Sequence, residues 1–176
     1  MSQESYIAFL EEQRAEKDYF FVHDPYSPLV PEERHDFAGL NYYPPDPSYQ
    51  YTLDLQYAEP DPVTFQTSTG AQQHFHRIGV ITFEVEGQPA QLAIYRSDDH
   101  GELFLPFRDA TSGKETYGAG RYLDPVDLGK DRLLVDFNLA YNPYCAYSPD
   151  FSCPLPPIEN WLKMPIRAGE KNYKEE

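Results

Sequence analysis

Residues 77–97, RIGVITFEVEGQPAQLAIYRS, decide the fold. Both halves of this stretch are rich in valine, isoleucine and aromatic residues, which fit the pleated, half-buried surface of a strand. Between them, Glu86-Gly87-Gln88-Pro89 has the composition of a tight turn. The stretch therefore predicts a β-hairpin of two antiparallel strands.

Further strand candidates lie on both sides of this hairpin at short intervals. Each is rich in β-branched, aromatic or other apolar residues and is bounded by turn-forming residues. They are residues 49–57, 62–69, 102–107, 121–126, 132–138 and 162–168. Because no long helix separates them, we expect a mainly β protein of the α+β class, whose antiparallel sheet forms a barrel or a sandwich.

The first 40 residues predict a helical layer over this sheet. Residues 3–21 carry their aromatic and leucine side chains broadly on one side, with charged side chains between them, as in an amphipathic helix. The helix should end before Pro25. Pro31 suits the start of a short second helix over residues 32–37, which Gly39 would terminate.

Residues 139–160 predict a long but ordered loop. Its five prolines exclude a helix or a central strand. Its aromatic rings need burial, so we expect the loop to wrap over the sheet. The expected organisation is one domain over residues 1–176, with a helical layer at 1–40, a β core at 41–138, and a Pro/Tyr-rich loop with a terminal strand at 139–176.

The net charge of the chain limits the partners that it can bind, and its N-terminus and cysteines indicate its compartment. The 29 acidic and 14 basic residues give a formal charge of -15, which repels phosphate backbones and anionic membranes. Neither nucleic acid nor membrane partners are therefore expected. The N-terminus lacks a signal-peptide pattern and no apolar run approaches a membrane span, so a cytoplasmic protein is expected, with Cys145 and Cys153 as free thiols. The sequence carries no signal for a cofactor or an oligomeric state.

The densest polar segment begins at Arg108-Asp109 and continues to Arg121. Two guanidinium groups can hold a carboxylate or phosphate with paired hydrogen bonds. Thr111 and Ser112 would add donors from a turn. The alternative is an internal Arg–Asp ion pair beside a Ser/Thr turn, which ordinary domains use often.

A second polar group follows around Asp136. Side chains two residues apart in a strand share a face, so Asp136 and Asn138 would line one pocket, unless Asn142-Pro143 simply starts a turn. Asp109 and Asp136 are the candidate general bases if the protein is an enzyme, a question that the sequence leaves open. The residues predicted to bind a ligand are Arg108, Asp109, Ser112, Tyr117, Arg121, Asn138, Tyr141 and Asn142.

His74 and His76 form a weaker candidate. Their spacing puts both imidazoles on one side of a strand, where His100 or a carboxylate would complete a metal site. An exposed polar strand face explains the same spacing, and we favour it.

Several long segments resemble a prokaryotic family known as DUF1684, a domain of unknown function. They are PFRDATSGKETYGAGRYLD (106–124), DFNLAYNPYCAYSPDFSCPLPPIEN (136–160), IRAGEK (166–171), SPL (27–29) and GLNYYPPDPSY (39–49). The resemblance covers nearly the whole chain. It implies a single-domain protein and carries no established activity, ligand or catalytic residue.

The polar groups favour a protein that binds a small polar or anionic molecule in a pocket. The alternative is a non-enzymatic module that uses residues 141–161, rich in proline and tyrosine, to contact another protein. Burial of the rings in this segment distinguishes the two: an exposed patch favours a protein partner, and rings packed inward over a concave site favour a pocket.

Overall fold

A computed structural model describes residues 2–174 and begins with one long helix. Helix α1 spans Gln3–His23, so the predicted N-terminal helix is confirmed. The Ser2 side chain accepts a hydrogen bond from the Ser5 amide and caps the first turn. The predicted second helix is wrong: only a single 3-10 turn, Pro31–Glu33, forms. A six-residue segment offers too few backbone hydrogen bonds to offset the cost of starting a helix.

Within residues 2–174, eight strands form two sheets. They are β1 (Gln50–Asp54), β2 (Gln56–Gln66), β3 (Gln72–Val85), β4 (Gln88–Ser97), β5 (Leu103–Phe107), β6 (Arg121–Leu123), β7 (Val126–Gly129) and β8 (Arg132–Asp136). The larger sheet has the order β2-β3-β4-β5-β6 and the smaller one β1-β8-β7. Every pairing between these strands is antiparallel. The two sheets form a sandwich rather than a closed barrel, which selects one of the two predicted architectures.

The hairpin of β3 and β4 is confirmed. Val85 pairs with Gln88 across a two-residue turn. Glu86 and Gly87 have φ angles of 50° and 80°, so both are left-handed. Consecutive left-handed residues match the right-handed twist of the flanking strands.

The main core lies between the two sheets. Ile81, Leu92 and Leu105 of the larger sheet pack in one cluster with Val135 and Phe137 at the end of the smaller one. The opposite face of the larger sheet carries a second cluster, made mostly of aromatic rings. This second face supports the candidate site described below.

The predicted terminal strand is wrong. Residues 162–168 form no strand, and Pro165 lacks the N–H that a ladder needs. The carbonyls of Ile166, Ala168 and Glu170 instead accept hydrogen bonds from the Arg121 guanidinium. The segment therefore bonds the Arg121 side chain at its C-terminal end, and among residues 162–168 only Leu162 and Met164 exchange backbone hydrogen bonds with a neighbouring segment, at Arg108 and Ala110.

The Pro-rich segment 139–160 is ordered and lies over the second face of the larger sheet. Asn160 is fully buried and fixes it there: its amide group bonds both the N–H and the carbonyl of Ala93 and the carbonyl of Pro106. Tyr147 is buried and Phe151 is half-buried. Within residues 2–174, no helix has the length and apolarity needed to cross a bilayer.

Candidate ligand cavity

A large cavity of about 680 Å³ lies between the second face of the larger sheet, helix α1 and the Pro-rich segment. Strands β3, β4, β5 and β6 form its floor. Alternation along the strands places Gln73 with Phe75 and Glu102 with Phe104, since residues two apart share a face, whereas Leu103 reaches the cavity from the edge of the other face. The floor side chains are Gln73, Phe75, Ser97, Glu102, Leu103, Phe104, Tyr122 and Asp124.

The roof comes from two separate parts of the chain. Helix α1 contributes Lys17, Phe20 and Phe21, which lie at i, i+3 and i+4 and so share one face of the helix. The Pro-rich segment contributes the rest: Tyr141, Pro143, Tyr144, Phe151, Ser152, Cys153 and Pro154. Aromatic rings therefore enclose the cavity from three directions. A volume between 300 and 1,000 Å³ with mostly apolar walls is typical of small-molecule sites, as a rough guide.

Asp124 is the carboxylate at the β6 side of the cavity. The Tyr141 hydroxyl donates to it, 2.9 Å from Oδ1 and 3.1 Å from Oδ2. Asp124 is exposed at the rim, but partial burial of its carboxylate raises the pKa of this group. The hydrogen bond from Tyr141 and the charge of Lys17 lower that pKa, and the charge of Glu102 raises it. Burial also raises the pKa of Tyr141, so its hydroxyl remains a hydrogen-bond donor.

Lys17 supplies the positive charge on the roof. Its ammonium forms an ion pair with Glu170, whose carboxylate is almost completely buried. The same nitrogen lies 5.3 Å from the ring centroid of Tyr141 and 5.7 Å from that of Phe21. Both separations are within the range of cation–π attraction. Lys17 also lines a second cavity of about 350 Å³ on the other side of its side chain, so it separates the two spaces.

Arg121, Asp109 and Ser112 come together in the structure, away from this cavity. The Arg121 guanidinium lies 3.4 Å from the Asp109 carboxylate, and both side chains are fully buried. Asp109 also accepts hydrogen bonds from Thr111, Ser112 and the amide of Ile166. These contacts form an internal ion pair beside a Ser/Thr turn. The sequence allowed this arrangement as the alternative to ligand binding. Ligand binding by these residues stays a prediction.

The other predicted ligand-binding residues are distributed over the fold. The Asn138 amide bonds Asp136, the Tyr6 hydroxyl and the backbone of Asp46. Asn142 bonds Glu170 through its backbone N–H and Lys171 through its side chain. These contacts join the Pro-rich segment to helix α1 and to the C-terminal segment.

Two further members of the predicted set lie near the Pro-rich segment. The Arg108 guanidinium stacks 4.4 Å from the Trp161 ring, and the Tyr117 hydroxyl lies 3.6 Å from the Cys145 sulfur. Of the eight residues predicted to bind a ligand, Tyr141 is the one that lines the large cavity.

The predicted histidine pair lies on strand β3. His74 Nδ1 lies 3.3 Å from the Thr64 hydroxyl, and His76 Nδ1 lies 2.6 Å from the Asp98 carboxylate. Among residues 2–174, no three His, Cys, Asp or Glu side chains are grouped as metal ligands would be.

Cys145 and Cys153 are unbonded thiols close to each other. Cys153 lines the large cavity, and its sulfur accepts a hydrogen bond from the Cys145 amide at 3.3 Å. A hydrogen bond from the Cys153 thiol, supported by Tyr117, lowers the pKa of Cys145 below its ordinary value, although burial opposes this. The hydrogen bond with Cys145 raises the pKa of Cys153, and burial raises it further.

We expect Cys145 to react with iodoacetamide before Cys153, because only the thiolate is a good nucleophile. The rate of Cys145 modification should be half-maximal below about pH 7.5, where a free cysteine thiol, with a pKa of about 8.5, is still mostly protonated. Mass spectrometry of quenched samples between pH 5 and 9 gives both rates. Replacing Tyr117 by phenylalanine should move the midpoint upward. Equal rates at the two cysteines would contradict this expectation.

Sequence reasoning missed Lys17, Glu102 and Asp124, which carry the charge of the large cavity. The sequence signals for these three residues were their spacings from aromatic residues. Lys17 stands at helical spacing from two phenylalanines, and Glu102 and Asp124 each stand two residues from an aromatic residue in a strand. Each pattern is common in surface helices and strands, so none of them alone indicates a site.

The chain is similar to a family and to a solved structure whose own descriptions assign no function. Residues 35–171 match the family model described as protein of unknown function (DUF1684). A solution NMR structure of an uncharacterised protein from Haloarcula marismortui is 42% identical, with a TM-score of 0.71, and the match covers 96% of this chain and 95% of that one. No curated protein matches the sequence. The family match and this identity confirm the resemblance expected from the sequence, and the chain belongs to the DUF1684 family.

Proposed function

We propose that the protein binds a small molecule in the 680 Å³ cavity between helix α1, the larger sheet and the Pro-rich segment. The observation that supports this most strongly is the convergence of aromatic rings from these three parts on one space. Filling that space with protein would bury more apolar surface and stabilise the fold. A retained cavity with a few polar groups at its rim is the usual form of a ligand site.

Polar groups at the rim would orient the ligand. The Tyr141 hydroxyl bonds Asp124, and Lys17 lies against the ring of the same tyrosine. Neither Arg108 nor Arg121 is among the residues that line this cavity in the described part of the chain, so the guanidinium groups that suggested an anionic ligand lie elsewhere. We propose binding and assign no reaction.

Nucleic acid is an unfavourable partner for this site, because the chain carries a formal charge of -15. We place the binding activity in the cytoplasm, whose reducing conditions suit two unbonded cysteines.

Replacing Ser97 by phenylalanine should block the cavity. Ser97 lines the floor at the end of strand β4, and its backbone hydrogen bond to Glu102 does not involve the side chain. A fragment library screened against the labelled protein by two-dimensional NMR should shift signals of cavity residues. The variant should weaken the best fragment by about tenfold or more, which corresponds to about 1.4 kcal/mol.

Thr82→Phe is the matched control, since Thr82 is exposed on strand β3 and outside the cavity lining. It adds a ring to the same sheet and should leave binding unchanged. Fragments that shift signals scattered over the surface, or that bind Ser97→Phe as well as the unmodified protein, would contradict the proposal.

A second candidate function is the predicted contact with another protein through the Pro-rich segment. Leu155, Ile158 and Trp161 of this region are 38%, 76% and 47% exposed. Their side chains face outward, whereas Tyr144 and Phe151 line the cavity. Loss of a co-purifying protein in the Ile158→Asp variant, with fragment binding intact, would favour this alternative.

A further inference from the structure

The large cavity has a negative charge balance. Three charged side chains line it: Lys17, Glu102 and Asp124. The ammonium of Lys17 is already paired with the buried carboxylate of Glu170. Within residues 2–174, neither Glu102 nor Asp124 has a basic side chain within salt-bridge distance. Neither floor carboxylate is therefore held in an ion pair; both residues are exposed, and the charge of Lys17 acts on Asp124 from a distance.

The strand register sets these carboxylates beside two aromatic rings. Strands β5 and β6 pair with Leu105 opposite Leu123, so the residues on either side of this pair lie together on the other face. Phe104 and Tyr122 meet there edge to face, with ring centroids 4.8 Å apart. Glu102 stands two residues before Phe104 and Asp124 two residues after Tyr122, so both carboxylates flank the ring pair.

The roof shows how this cavity accommodates an ammonium group. Lys17 Nζ lies against the rings of Tyr141 and Phe21 while a carboxylate neutralises it. The floor has the same two components, aromatic rings and carboxylates, but without a protein cation. A positively charged group placed there would gain Coulomb attraction to the two exposed carboxylates and contact with ring faces or edges.

We infer that the ligand of this cavity is a small organic ammonium ion with an aromatic or other apolar body. Its ammonium group lies between Asp124 and Glu102, and its apolar body contacts the rings of Phe75, Phe104 and Phe151. A small anion would meet two uncompensated carboxylates and is disfavoured. This inference rests on the proposed binding function and specifies the chemistry of its ligand.

The first test compares three probes of similar shape and different charge: 2-phenylethylammonium, benzyl methyl ether and 3-phenylpropanoate. Each is titrated into the full chain at pH 7.5, and NMR shifts of cavity signals give the dissociation constants. The ammonium should bind at least about tenfold more tightly than either isostere, since one charge-assisted hydrogen bond of this kind is worth about a factor of ten or more.

Asp124→Asn should reduce the affinity for 2-phenylethylammonium by about tenfold, and the double variant Glu102→Gln/Asp124→Asn should reduce it further. Asp61→Asn is the control, because Asp61 is exposed on edge strand β2 and outside the cavity lining. It makes the same change in net charge and should leave the affinity unchanged. Thermal unfolding of each variant checks that the fold is retained.

The outcomes separate this inference from the function on which it rests. Equal or tighter binding of the neutral or anionic probe, abolished by Ser97→Phe, would overturn the ammonium assignment and leave the cavity as the binding site. An ammonium preference that survives in the double variant would overturn the role of the two carboxylates. Failure of every probe and of the fragment library to shift cavity signals would overturn both proposals.

Discussion

Replacing Arg121 by alanine should destabilise the protein by roughly 3–5 kcal/mol, the usual cost of removing one partner of a buried ion pair. The Arg121 side chain is 1% exposed and the Asp109 carboxylate is fully buried. Burial lowers the pKa of the guanidinium, and the charge of Asp109 opposes this effect. Without Arg121, Asp109 keeps a buried negative charge with no compensating cation beside it.

The backbone of residues 166–170 would lose its anchor at the same time. Arg121 donates to the carbonyls of Ile166, Ala168 and Glu170. A buried carbonyl without a partner costs about 1–3 kcal/mol. Because domains of this size are stable by only about 5–15 kcal/mol, a loss of this size should be evident as a large shift of the unfolding midpoint.

Urea unfolding followed by circular dichroism measures this effect. Arg167→Ala is the matched control, since Arg167 forms an exposed ion pair with Glu115, and exposed pairs contribute little to stability. Its midpoint should stay close to that of the unmodified protein. A near-normal midpoint in Arg121→Ala would mean that Arg121 does not anchor the C-terminal segment. That result would instead favour the predicted role of Arg121 in ligand binding.

Local chemistry made much of the fold predictable. The hairpin at Glu86-Gly87 is fixed by residues that tolerate left-handed backbone, and its strands carry the right composition. Helix α1 was predicted from apolar side chains expected on one side, and three of these, Tyr6, Leu10 and Phe21, are its buried residues. Residues 162–168 do not form the predicted strand because their backbone pairing stops after Met164 and the carbonyl of Ile166 is bonded by a side chain 45 positions away in sequence. Composition carries no information about such a partner.

The site was less predictable than the fold for a related reason. The polar density around Arg121 was visible in the sequence, but the sequence does not say whether such groups face each other or a ligand. In the structure Arg121 and Asp109 face each other. The large cavity needs a helix, four strands and a loop to meet, and Lys17 and Asp124, which lie far apart in sequence, come together only through that assembly.

Replacing Glu170 by alanine should cost roughly 2–4 kcal/mol of stability, because it leaves buried donors without an acceptor. The Glu170 carboxylate is 1% exposed. It accepts hydrogen bonds from the amide of Asn142 at 2.7 Å and from the Tyr147 hydroxyl at 2.9 Å. It also holds Lys17 of helix α1, so one carboxylate joins three separate parts of the chain.

The loss of Glu170 should also loosen helix α1 over the cavity. Lys17 would lose its counter-charge, and hydrogen exchange at the amides around it should accelerate more than exchange in strands β3 and β4. Glu170→Gln retains one acceptor oxygen but no charge, so we expect about half the destabilisation of the alanine variant. Glu12→Gln removes a charge from an exposed position on the same helix and should change neither stability nor exchange. Exchange that accelerates equally in the helix and in both strands would contradict the local role of Glu170 and indicate a general loss of stability instead.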